Sequence, residues 1–214
     1  MTINKTWAYN ANDREYKSAE FLIRSLVEVA SRGGNFLLNV GPQPDGLIQP
    51  EFQQCLRAIG DWLAVNGESI YGTTYGPVQN MKSVRTTAKR GRLFLHIFDW
   101  PSSPLEITGL DTKMMSAHLL AGGQSLKFQQ TEHRLQIDLP QQRPDPNVTV
   151  IAVRTLFKRA LAILRHCPTI KNITAVPKSD HGEPGDNHVQ VQTSTIAASP
   201  SGIDFPRKRA VRTH

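Results

Sequence analysis

Four acids fall within one short stretch of the chain: Asp45, Glu51, Asp61 and Glu68. Carboxylates move protons and attack electrophilic carbon, so such a group is the first place to look for chemistry. Three of them have plainer roles. Asp45 precedes Gly46 in a turn-forming pair, and Asp61 and Glu68 read as solvated charges near a helix end. No residue is assigned as catalytic. His96, His118 and His133 lie on different predicted strands without ligand spacing, so no metal site is expected. Cys55 and Cys167 are too far apart for a disulfide framework or a paired zinc site, and Cys55, beside Leu56 on a predicted helix, reads as a buried free thiol. Gly33-Gly34 follows a helix instead of opening one, which argues against a phosphate cradle. No cofactor is called for. Asn4-Lys-Thr6, Asn147-Val-Thr149 and Asn172-Ile-Thr174 match the N-glycosylation pattern, which carries meaning only in a secreted eukaryotic chain.

The elements that hold these residues begin with a helix from about Ser18 to Ser31. Leu22, Ile23, Leu26, Val27, Val29 and Ala30 recur at helical spacing. Ser18 is the expected N-cap, Glu20 suits the first turn and Gly33-Gly34 the stop. Asn35 to Val40 follows as a nearly continuous apolar run, which predicts a strand buried on both faces. Gly41 to Gly46 is a loop by composition. Pro50 suits a first helical position, and Phe52, Leu56, Ile59, Trp62 and Leu63 form the stripe of a second helix that Asn66-Gly67 ends. Helix, strand, loop and helix in this order fit the closing segment of a (β/α) barrel.

The pattern changes after Tyr71. Arg92–Phe98, Met115–Leu120, Ser125–Phe128, Arg134–Leu139 and Val148–Val153 are short and often alternating, with turns such as Pro101–Pro104 and Gly122-Gly123 between them. Short strands at this spacing predict an antiparallel β-sandwich. The expected organisation is therefore α/β followed by all-β: residues 1–74 as the terminal part of a TIM-like barrel, 75–156 as a sandwich and 157–214 as a tail. Gly72 to Pro77 is the expected boundary. Phe157 to Leu164 has two turns of helical pattern, and the polar sequence from His181 onward reads as mostly disordered.

The net charge of +7 is uneven: from Phe157 onward there are nine Lys/Arg against four Asp/Glu. Its basic character belongs mainly to the tail, and Arg207–Arg212 lacks interleaved aromatics, so no nucleic-acid partner is expected. No apolar run approaches the roughly 20 residues needed to cross a bilayer. No charged, apolar, small-residue leader opens the sequence, and the compartment is left open.

Three stretches together resemble the α-L-fucosidases of glycoside hydrolase family 29. They are Asn4-Lys-Thr-Trp-Ala-Tyr-Asn10 with Lys17-Ser18, then Gly33-Gly-Asn-Phe-Leu-Leu-Asn-Val-Gly-Pro42 with Asp45-Gly46, then Ile59-Gly-Asp-Trp-Leu-Ala-Val-Asn-Gly-Glu-Ser-Ile-Tyr-Gly72. The likeness is dense over Thr2 to Thr74, is one of fold only through the sandwich, and stops near Leu156. Ala8 stands where the family usually has Gly.

The resemblance implies retaining hydrolysis of terminal α-L-fucose from fucosylated glycans or glycosides. A carboxylate attacks the anomeric carbon and a carboxylic acid protonates the leaving oxygen. The family's Asp nucleophile lies upstream of the matched segments, so this chain is expected to be inactive alone. The resemblance makes Trp7 a substrate-binding candidate, because an aromatic ring packs against the C–H faces and methyl group of fucose. Tyr9 is a weaker candidate with a core role as its alternative. Asn39, at the end of the predicted strand, either faces the site or hydrogen-bonds the following loop. Two other classes stay open: a non-catalytic carbohydrate-binding or structural sandwich module, and a basic-tail nucleic-acid binder. Three or so barrel elements cannot close an eight-stranded barrel, so the chain is expected to aggregate or to fold only in its sandwich.

Overall fold

A computed structural model describes residues 1–78, 81–102, 104–110 and 112–156. Expectations placed on Cys167, on the Phe157–Leu164 helix and on the basic tail lie outside the described residues.

Helix α1 spans Ala19–Ser31, and its start is the expected one: the Ser18 hydroxyl accepts the Phe21 amide at 3.1 Å. It ends as the glycine pair predicts. The Gly34 amide reaches the Val29 carbonyl at 2.9 Å and the Gly33 amide reaches Ala30, with Gly33 at φ 71°. Helix α2 spans Pro50–Asn66 with Pro50 at its first turn. It runs on through a 3-10 turn, Gly67–Ser69, where the sequence suggested a stop.

The predicted strand at Asn35–Val40 does not form a ladder. A single parallel bridge joins Asn39 to Thr2, supported by the Asn39 amide on the Met1 carbonyl at 2.9 Å. Among the described residues no strand pairs with it beyond that bridge, and Leu37 stays 53% exposed. The double-sided burial inferred from the apolar run is therefore not found.

Among the described residues nine short strands follow: β1 Thr74–Tyr75, β2 Val84–Lys89, β3 Arg92–Ile97, β4 Leu105–Thr108, β5 Met114–Leu119, β6 Ser125–Leu126, β7 Phe128–Gln130, β8 Arg134–Ile137 and β9 Thr149–Thr155. They make one sheet in the order β1-β2-β3-β9-β5-β6 and a second in the order β4-β8-β7, with every ladder antiparallel. The segment expected as one strand at Ser125–Phe128 is divided. Its first half pairs with β5 in the larger sheet and its continuation pairs with β8 in the smaller.

Strand alternation then decides the layers. Leu93, Leu95 and Ile97 of β3 and Ile151 and Val153 of β9 face the smaller sheet and share a core with Leu105, Ile107, Leu135 and Ile137. Phe94 with Phe98 beyond the strand end, and Val150 with Ala152, point the other way. There they meet Ile23, Leu26, Val27 and Ala30 of α1 and Trp62 of α2. The larger sheet thus has no bare face at its centre, since the helices cover what the smaller sheet leaves open. The same contact covers Ile23, Leu26, Val27, Ala30 and Trp62 of the helices, while Leu22 and Phe52 pack with Ile3 in a separate cluster.

The two layers are also tied by polar groups. Arg24 donates to the Phe98 carbonyl at 2.6 Å, and the guanidinium groups of Arg24 and Arg85 lie 5.3 and 5.4 Å from the Phe98 ring. Glu28 of α1 pairs with Arg85 of β2. Burial pushes the Glu28 carboxyl up, and its bonds to Arg85 and Arg32 more than offset this, so it sits below the ordinary range.

Candidate functional site

The residues singled out from the sequence gather on one face, built from the segment before α1 and the loop between the helices. Asp13 organises the first of these. Its carboxylate accepts the amides of Lys5 at 2.9 Å, Thr6 at 3.2 Å and Glu15 at 3.3 Å. Desolvation works against its ionisation, but those amides hold Asp13 below the usual carboxylate range. The Thr6 hydroxyl donates to the Ala8 carbonyl at 2.9 Å and so shapes the turn that carries Trp7. Sequence reasoning passed over Asp13. Its position eight residues beyond Lys5 has no local periodicity to advertise it, and only the closed loop shows its role.

Trp7 is 62% exposed. Asn39 donates from Nδ2 to the Trp7 carbonyl at 2.7 Å. Its partner is thus the Trp7 segment and not the loop after it. Tyr9 is half-buried, with its hydroxyl 3.5 Å from Gln43 Nε2, at the outer limit of a hydrogen bond. Gly41 completes the contact. A Cβ at this position would stand 2.5 Å from the Tyr9 nitrogen and 2.7 Å from the Ala8 carbonyl carbon, so only glycine lets the two segments lie this close. The three sequence candidates therefore converge, with Trp7 presented outward on a backbone pinned by Asn39, Asp13 and Gly41.

The four acids do not converge. Asp45 Oδ1 accepts the Leu47 amide at 3.0 Å and so closes its turn. Glu51 and Asp61 are exposed on α2, and Glu68 pairs with Arg92 of β3. Cys55 is half-buried, not fully buried as expected. Burial pushes its thiol up, and Sγ lies 3.6 Å from the Lys17 carbonyl oxygen. Among the described residues no three His, Cys, Asp or Glu side chains are grouped to hold a metal ion, and no helix is long and apolar enough to cross a membrane.

His96 proves to be a structural residue. It is fully buried, and burial lowers its pKa to about 3. Its Nε2 lies 2.9 Å from the Thr87 hydroxyl, which itself donates to the Ser69 carbonyl at 2.6 Å. Since Thr87 has one proton to give, His96 must be the donor, as the neutral Nε2–H tautomer. Among the described residues His96 Nδ1 has no hydrogen-bond partner.

The family described as Alpha-L-fucosidase matches residues 1–68. The plasma α-L-fucosidase of Homo sapiens is 39% identical over 66% of this chain and 33% of its own length. The tissue α-L-fucosidase of Bos taurus is 42% identical over 45% of this chain and 21% of its own. Among solved structures, α-L-fucosidase isoenzyme 1 from Paenibacillus thiaminolyticus superimposes with a TM-score of 0.69 at 35% identity, covering 73% of this chain and 39% of that one. The Thermotoga maritima α-fucosidase, solved in complex with fucose, gives a TM-score of 0.64 at 29% identity over 72% of this chain and 38% of its own. The chain spans about a third of the length of the plasma enzymes it matches. In sequence and in fold, over the part that can be aligned, this chain resembles the α-L-fucosidases of glycoside hydrolase family 29.

Proposed function

We propose that this chain is the C-terminal part of an α-L-fucosidase, with the end of a (β/α)8-type barrel over residues 1–74 and a β-sandwich over 75–156. The whole enzyme would release terminal α-L-fucose from glycans with retention of configuration, through two carboxyl groups about 5–5.5 Å apart. The reading rests most on one observation: the segment matched by the fucosidase family presents Trp7 to solvent on a backbone held by Asn39. A rigidly mounted, outward indole suits the apolar face and methyl group of fucose, and its bound backbone lowers the ordering cost of binding. Tyr9 and Asn39 act as its supports.

This chain provides substrate contacts and no catalytic pair, so it binds fucosylated glycans without hydrolysing them. The dispersed bonding of Asp45, Glu51, Asp61 and Glu68 supports that division. The test is hydrolysis of a chromogenic aryl α-L-fucoside by the purified chain, with a boiled control and fucose protection. The expected result is no turnover. Turnover above the control would mean that acids of this chain form a working pair, and the placement of the nucleophile outside it would be wrong.

A further inference from the structure

We propose that the folded chain carries an N-glycan on Asn147 in a secretory lumen and none on Asn4, which has the same sequence pattern. Both sit in the Asn-x-Thr pattern that the transferring enzyme reads. The fold separates them.

Asn147 lies in the bend that leads into β9 and is half-buried. Its main-chain groups are spoken for. The amide donates to Asp145 Oδ1 at 2.8 Å, and the carbonyl accepts from the Arg143 guanidinium. Its side-chain amide makes no hydrogen bond among the described residues, so attaching a sugar there breaks nothing. It lines a shallow, open depression with Ala58, Asp61, Trp62, Val65 and Asp145. Val65 is 52% exposed and Asp61 is also exposed, so the first sugar meets an apolar side chain for its C–H face and a carboxylate for its hydroxyls.

Asn4 is in the opposite situation. It is only 2% exposed, and its Nδ2 donates to the Thr6 hydroxyl of its own pattern at 3.2 Å. Its carbonyl accepts the Lys17 ammonium at 2.8 Å. A glycan on this nitrogen would displace the turn that carries Trp7, so a chain modified there does not reach this fold.

The transfer itself joins Asn147 Nδ2 to the anomeric carbon of an oligosaccharide carried on a lipid pyrophosphate. The carbon–oxygen bond to the pyrophosphate breaks, the lipid pyrophosphate leaves and the amide gives up one proton. Thr149 is 2% exposed in the folded state, with its hydroxyl within 3.3 Å of the Asp145 amide. The enzyme that reads this hydroxyl must therefore act before β9 docks.

The experiment is expression of the full chain behind a cleavable secretion signal in eukaryotic cells. Membrane-protected luminal material and secreted material are collected together, so retention in the cell does not void the result. Peptide N-glycosidase in heavy-oxygen water converts each glycosylated Asn to labelled Asp. Tryptic peptides ending at Lys5 and at Arg154 carry the two positions separately. The expected result is label at Asn147, none at Asn4 in the protease-resistant folded fraction, and loss of one glycan's gel shift in Asn147→Gln. An unlabelled Asn147 overturns the proposal, as does label at Asn4 in the protease-resistant folded fraction.

Discussion

Asn39 and Trp7 are 32 positions apart in sequence, and the side chain of the first holds the backbone of the second at 2.7 Å. The bond joins the segment before α1 to the segment that follows it, and it sets which way the exposed indole projects. Removing it should free the Trp7 turn while leaving the sheets untouched. A surface hydrogen bond of this kind contributes about 0.5–1.5 kcal/mol. Asn39→Ala should therefore speed tryptic cleavage at the exposed Arg14 by roughly two- to tenfold, since cleavage follows the population of the open loop. An unchanged rate would mean that Asp13 alone holds the turn.

Gly41 tests the same contact from the other side. A methyl group 2.5 Å from the Tyr9 nitrogen forces two backbone segments apart, and no flexible side chain is available to yield. Gly41→Ala should cost about 1–3 kcal/mol in urea unfolding, the usual range for overpacking. A substitution without effect would show that the segments are not packed as described.

Acid should weaken the attachment of the helices to the larger sheet. His96 is neutral in the folded state because its pKa is lowered to about 3, whereas an unfolded histidine titrates near 6.5. Below about 6.5 the unfolded chain binds the extra proton, so stability that is complete at higher pH is lost progressively down to about pH 3. At pH 5 the loss from this residue is about 2 kcal/mol. Glu28, held below its ordinary value, adds a loss of the same sign as its carboxyl protonates. Unfolding free energies at pH 7 and pH 5, with and without His96→Leu, measure the histidine's share. A wild-type difference that survives His96→Leu undiminished would remove His96 from the account.

Trp62 fastens α2 to the far end of the core by donating its indole N–H to the Val148 carbonyl at 2.9 Å, with the side chain 3% exposed. Trp62→Phe keeps most of the ring volume and leaves that carbonyl unpaired. The expected cost is about 1–3 kcal/mol by denaturant titration. A near-neutral result would indicate that solvent reaches Val148 through the neighbouring depression.

Local signals carried much of the helical half. Ser18 and Gly33-Gly34 mark both ends of α1 because caps depend on atoms within a few residues of each other. Pro50 opens α2 for the same reason. Strands were less legible. Val84–Lys89 has Thr, Arg and Lys among its six residues, and its central threonines are buried by hydrogen bonds to Val78 and Ser69 that no alternation announces. Leu105–Thr108 is too short for its period of two to stand out.

The sequence by itself determined the two helices, most of the strand positions and the motif that points to fucosidases, because each depends on residue type at short range. Tertiary structure alone decided that Trp7 faces solvent, that Asn39 binds its backbone and that the sequence candidates share one face while the acids scatter. It also decided that β3 and β9 are buried on both sides. Alternation tells which residues share a face of a strand, but what covers that face is set by groups distant in the chain. His96 is the sharpest case. A histidine on a strand reads the same whether it meets water or a packed layer, and only the tertiary packing beside Thr87 and Ser69 keeps it neutral and fully buried.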